Sequence, residues 1–382
     1  TANWSFAGNG NYNADSGSVA IDISKANATI DVQGYTGVYD GNAHGASGSA
    51  TGVKGEDLSN LLDLGASFTN FPGDTANWSF AGNGNYNADS GSVLISISKA
   101  TPSINITWSN STYDGNANAA SASVSGVGTP SENLGAADSL VYYAGNAATG
   151  SPLAGAPTNA GTYTVKAIFN GAANYNATSA TRTITIAKAN PQITWSTPAA
   201  IDYGTALSSA QLNASADVAG SFSYTPAAGA VLKAGNHTLK ADFTPADANN
   251  YNSASAQVQI VVNPYSFTGF FQPIDNNGTL NSAKAGSTIP VKFSLGGDKG
   301  LNIFLNNQGP TTQKVACDTS APVDTIEELS TATNSGLKYD PQANQYIYNW
   351  KTTSTYAGTC QRLTVTLADG TTVKSALFKF TK

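Results

Sequence analysis

Charge is scarce in this chain. Only 11% of its 382 residues are Asp, Glu, Lys or Arg, against roughly 25% in an average soluble domain. The net charge is −6 and no basic cluster occurs. That excludes the concentrated positive field needed to hold nucleic acid or an anionic membrane surface. Two Cys and two His leave little room for a Cys/His metal site, and Met is missing altogether. No apolar run reaches the roughly 18 residues of a membrane span. The opening TANWSFAGNG has neither the charged nor the apolar region of a signal peptide. With no Met at position 1, a processed chain or a fragment is expected. Motifs of catalysis are also missing: no G-x-S-x-G, P-loop, H-E-x-x-H or G-x-G-x-x-G occurs. His44, in a Gly/Ala/Ser stretch, and His237, in a short alternating strand, are expected to be exposed. No acid pair suggests itself for glycoside hydrolysis. The expectation is no enzyme and no cofactor.

Gly, Asn, Ser and Thr are abundant, and they are organised in repeats. Residues 1–26 and 75–100 read the same except at Ala20/Leu94 and Asp22/Ser96. Asn-Tyr-Asn recurs at 11–13, 85–87, 174–176 and 250–252. Lys-Ala closes three copies, at Lys25-Ala26, Lys99-Ala100 and Lys188-Ala189. Tyr-Asp-Gly recurs at 39–41 and 113–115, and Trp108 and Trp195 lie in matching Ile-Thr-Trp-Ser segments. The resulting division is a half-repeat at 1–25, repeats at 26–100, 101–188 and 189–264, and a different unit at 265–382.

The segments SVAIDIS, SVLISIS, TYTVKAIFN, TRTITIA and AQVQIVV alternate apolar and polar residues, the period of a half-buried strand. YDGN, AGNGNYN and TPADANN between them predict turns. One short stretch, 55–65, hints at up to two helical turns. Short strands in units of this size predict an all-β chain of tandem immunoglobulin-like β-sandwiches arranged end to end. Sandwiches with strands of about 8–10 residues, joined without long linkers, would make a rod of order 130 Å.

Tyr-Asp-Gly-Asn-Ala, Asn-Tyr-Asn and Ile-Ser-Lys-Ala resemble the repeats of the MBG family, the "mostly bacterial" immunoglobulin-like domains of large surface proteins. The final unit, with SFTGFFQPIDN, AGSTIPVKFSLGG and a Cys pair, resembles the PxKF domain, named for the motif seen here as Pro290, Val291, Lys292 and Phe293. The resemblance implies a secreted or cell-surface scaffold or adhesin and no catalytic residues.

Cys317 and Cys360 both fall in the final unit. An even count in an extracellular-looking β-domain argues for a disulfide; two separate buried thiols are the alternative. Calcium at Asp247, Asn249 and Asn250 or at Asp298 competes with plain turn formation by those residues. Lys25, Lys99 and Lys188 are regularly placed and are candidates for isopeptide cross-links, but the sequence identifies no side chain for them to join. Nine Asn-x-Ser/Thr sequons occur, at Asn3, Asn27, Asn77, Asn105, Asn110, Asn176, Asn213, Asn236 and Asn277. They matter only in a host that glycosylates its surface. Trp4 and Trp78 recur at one repeat position, as do Trp108 and Trp195, which predicts core packing over a sugar-stacking platform.

The first functional expectation is therefore a stalk, adhesin shaft or extracellular filament, with self-association into filaments as its partner class. The second is an array of modules holding surface polysaccharide. The third is a filament subunit joined by strand addition at residues 1–25. That half-repeat is expected to be completed by a segment equivalent to 26–74, from upstream chain or from a neighbouring subunit.

Overall fold

The computed structural model describes residues 1–276 and 278–382. The sequon at Asn277 lies outside the described residues. Among the described residues there is no α-helix, and no helix is long and apolar enough to cross a membrane. The chain divides into two compact units, 1–188 and 189–382. Both are all-β, and each contains two β-sandwiches.

Residues 26–100, 101–188 and 189–264 share one plan. A four-stranded sheet has the long C-terminal strand at its heart. In 26–100 the order is Tyr35–Val38, Asp89–Ser98, Gly73–Phe80, Leu62–Asp63. The first pair is parallel and the others antiparallel. Ser111–Thr112, Thr178–Ala187, Gly161–Phe169 and Ser139–Ala144 repeat the order. Ile201–Asp202, Ala254–Asn263, Gly235–Pro245 and Gly220–Thr225 repeat it again. A smaller sheet faces each: Thr29–Gln33 with Ser47–Thr51, then Ser103–Thr107 with Ser121–Ser125 and Asn133–Ala136, then Ile193–Thr194 with Ser215–Ala216.

Alternation puts one face of each strand inside. Ile95 and Ile97, Ile184 and Ile186, and Ile260 and Val262 are buried in the equivalent long strands. The polar residues between them face outward or lie half-buried. The turns form as their sequences predict. Asp40 and Asp114 each accept the N–H two residues on, at 2.8 and 2.9 Å, and Gly41 and Gly115 take positive φ. The helical hint at 55–65 is a single 3-10 turn, Ser59–Leu61, because Leu62–Asp63 is drawn into the sheet beside Phe80.

Residues 265–382 pack a four-stranded sheet against a five-stranded one. Their core is the largest in the chain and includes Ile289, Val291, Phe293, Tyr346, Leu363 and Phe378.

Residues 1–25 depart from expectation. They form a two-stranded sheet, Ala2–Phe6 with Asp15–Val19. The segment Ser18–Ser24 was expected to be strand to its end. In the 75–100 copy, residues 94–98 are held by Gly73–Thr75 and by Tyr35–Val38. Among the described residues nothing takes those places beside Ala20–Ser24, and the strand stops at Val19.

Candidate functional site

The feature that recurs most faithfully is a joint. In each complete repeat the Ala of the Lys-Ala pair bridges the Tyr of Asn-Tyr-Asn further along the chain: Ala26 to Tyr86, Ala100 to Tyr175, Ala189 to Tyr251. Two backbone bonds make each bridge. Ala26 N–H donates to Asn85 O and Asn87 N–H to Ala26 O, both at 2.9 Å. Ala100 and Ala189 make the same pair with Asn174 and Asn176, and with Asn250 and Asn252, at 2.8–3.0 Å. The second Asn adds its side chain: Asn87 Nδ2 reaches Asn27, Asn176 Nδ2 reaches Lys99 O, and Asn252 Nδ2 reaches Asn190. Ala26 and Ala189 are thus bound at the start of their own repeats, and Ala100, the last residue of 26–100, is bound inside 101–188.

The tyrosine anchors the joint in the core. Tyr86 and Tyr175 are 4% and 2% exposed. Tyr175 donates its hydroxyl to Glu132 at 2.6 Å and accepts the Val127 N–H at 3.0 Å. Burial, with the Glu132 hydrogen bond second, pushes its hydroxyl up to about 12. Tyr86 makes the same contacts to Glu56 and Val53 N–H. Within the first unit the joint at Ala100 is broader still. Asn174 Nδ2 donates to Asn70 Oδ1 at 2.9 Å, and Phe71 N–H donates to Asn174 Oδ1 at 3.0 Å. Lys99 Nζ donates to Ala172 O at 2.9 Å and stands over the Phe71 ring. Tyr39 meets Tyr175 edge-on, with centroids 5.4 Å apart.

A second joint lies within the 189–382 unit. Asp369, fully buried, accepts N–H bonds from Tyr265, Thr371 and Thr372 and the hydroxyl of Thr372. Burial pushes its carboxyl up, but those hydrogen bonds outweigh it and hold it below the ordinary range. Ala234 N–H donates to Asp369 O at 3.0 Å, and Lys233 Nζ to Ala368 O at 2.6 Å. Tyr203 and Tyr265 meet edge-on beside Lys233.

Cys317 and Cys360 are bonded to each other. Cys360 is buried at the start of strand Cys360–Thr366, whereas Cys317 is exposed just beyond strand Thr311–Val315. Pro290, Lys292 and Phe293 lie on Thr288–Ser294. Phe293 is the hub of an aromatic stack with Phe267 and Tyr346. Lys292 pairs with Glu328 at 2.5 Å. Pro290 is paired on one side only, since Thr268–Phe271 reaches no further than Lys292; a missing N–H is tolerated there.

Other candidates resolve into local structure. Asp247 accepts the N–H groups of Asn249 and Asn250, and Asp298 that of Gly300, as turn residues do. Among the described residues, no three His, Cys, Asp or Glu side chains gather as metal ligands. The histidines are not exposed as expected. His44 is half-buried, stacked flat on Tyr35 and within 2.9 Å of Asp40. His237 is half-buried with Nε2 at 2.7 Å from Lys233 O. Trp108 is buried, and Trp195 is half-buried against the core of its repeat. Trp4 is 51% exposed, which corrects its expected core position. What Trp4 and Trp78 share is a cross-strand glycine. Each ring lies over Gly17 or Gly91, where an added Cβ would meet it at under 3 Å.

A groove of about 490 Å³ opens beside Trp108, lined by Asn110, Asp114, Asn116, Asn118 and Thr158. The indole N–H of Trp108, itself part of the lining, is donated to Asn118, and the remaining lining is largely of hydrogen-bonding side chains.

No protein-family model and no curated protein matches the chain. Among solved structures it is similar to three tandem immunoglobulin domains of titin in an E-to-A mutated variant. That likeness has 9% identity and a TM-score of 0.26, and covers 74% of this chain and 99% of the other. It is also similar to an endo-fucoidan hydrolase of glycoside hydrolase family 107, at 13% identity and a TM-score of 0.20. There it covers 81% of this chain and 44% of that one. The sandwich assignment rests on the sheets themselves.

Proposed function

We propose that this chain is a non-catalytic, structural section of a secreted or cell-surface bacterial protein, a shaft of MBG-type repeats followed by a PxKF-type domain. The carrying observation is the joint. The same pair of backbone hydrogen bonds, with an Asn side chain beside it, recurs at Ala26, Ala100 and Ala189. Where the bridge crosses from one repeat to the next, at Ala100, it is suited to holding two domains in fixed succession. The disulfide favours an oxidising exterior. Antibody to residues 265–382, applied to intact cells that make the protein, tests this. Surface labelling on extended material supports the reading; labelling only after lysis rejects it.

A second reading, polysaccharide binding, is favoured by the groove beside Trp108, whose Asn and Asp side chains suit sugar hydroxyls. A glycan array separates the two. Binding lost in Asn116→Ala would move the function to the groove.

A further inference from the structure

The near-identical copies 1–25 and 75–100 differ sharply in burial. Phe80, Tyr86, Ile95 and Ile97 are 1%, 4%, 0% and 2% exposed; their counterparts Phe6, Tyr12, Ile21 and Ile23 are 50%, 69%, 58% and 87% exposed. Neither sequence difference accounts for this. Leu94 is itself exposed and Ser96 half-buried, so no buried position has changed. What differs is cover. Residues 26–74 supply Ala50, Leu58 and Leu62 over Phe80 and Tyr86, and Tyr35 and Phe68 beside Ile95.

We infer that the hairpin 1–25 is a docking face for a second segment of the 26–74 type, one not already closed by its own hairpin. The register follows from the occupied copy. The equivalent of Leu62–Asp63 would pair antiparallel with Phe6–Ser5, and the equivalent of Tyr35–Val38 parallel with Ile21–Ser24. The equivalent of Ala26 would bridge Tyr12, and that of Glu56 would take its hydroxyl.

The chain's own 26–74 cannot do both. It is engaged with 75–98, and reach forbids exchange. Ala26 would have to sit beside Tyr12, yet an extended strand from Asp15 to Ser24 ends roughly 30 Å away, and one residue cannot return that distance. A second copy of the chain cannot help either. Within residues 1–382 there are two hairpins of this type and one covering segment, so lending that segment uncovers as much as it covers. The occupant is a free segment with the chemistry of 26–74, and the inference holds whether or not the chain is a surface shaft.

Hydrogen exchange on the full chain, with and without a polypeptide of residues 26–74 added in trans, tests it. The expected result is at least tenfold slower exchange at residues 2–23, unchanged exchange at 75–98, and loss of the response in Phe6→Ser/Ile21→Ser. Both of those side chains are already exposed, so the variant keeps its fold. A second form places a copy of 26–74 directly ahead of Thr1, mirroring the Asp74–Thr75 connection. There residues 2–23 are expected to reach the protection of 76–97. Exchange at 2–23 unchanged in both forms, or a response that survives the double substitution, overturns the inference. So does protection that rises with the concentration of the chain alone, which would make a second copy the occupant.

Discussion

Tyr175 and Tyr12 occupy one repeat position and do opposite things. Tyr175 is enclosed, with its hydroxyl held between Glu132 and the Val127 N–H. Tyr12 is 69% exposed. Losing a buried hydroxyl leaves its partners unsatisfied, at about 1–3 kcal/mol. Tyr175→Phe should therefore lower the stability of residues 101–188 by that amount in urea unfolding followed by hydrogen exchange, while Tyr12→Phe leaves every transition in place. Asp369 is the other residue on which much depends, since four hydrogen bonds converge on its buried carboxylate. Asp369→Ala should destabilise the 189–382 unit by about 3 kcal/mol, because buried N–H groups lose a charged acceptor. The folded-state pKa is depressed, so the contribution is whole above the unfolded value of about 4 and fades as pH falls through the lower folded value. Acid unfolding of the wild type below about pH 4 should thus include a component that is missing from Asp369→Ala.

At the scale of elements, the disulfide belongs to the final sandwich alone. It closes a loop of sequence separation 43, for which the chain-entropy account gives about 4 kcal/mol. Reduction is expected to lower the unfolding midpoint of 265–382 and to leave the transitions of residues 26–188 unmoved, as scanning calorimetry with and without reductant would show. The long strands and the turns were legible because each carries a local signal: alternation at Thr178–Ala187, positive φ and an Asp acceptor at Tyr-Asp-Gly. The joints were half-legible. Lys-Ala and Asn-Tyr-Asn stood out as repeats, but the bridge of Ala100 to Tyr175 spans most of a repeat, and local pattern does not reveal such pairs. The same limit applied at Ser18–Ser24 and Trp4. Their sequence is that of a strand and a core residue, yet pairing and burial come from a segment elsewhere. His44 was misjudged because its small neighbours leave room for Tyr35 to stack on it.

At the scale of the first unit, residues 26–100 and 101–188 are sandwiches whose succession is fixed at the Ala100 joint. There Asn70, Phe71 and Lys99 of one repeat are bonded to Ala172 and Asn174 of the next. Those three hydrogen bonds and the two of the Ala100 bridge tie the repeats together on either side of Lys99-Ala100. Residual dipolar couplings of the full chain, measured for residues 26–98 and 101–187, test that claim most directly. The account predicts one alignment tensor, equal in magnitude and orientation, fitting both repeats. Two tensors of different magnitude, the signature of repeats reorienting about Lys99-Ala100, would contradict it.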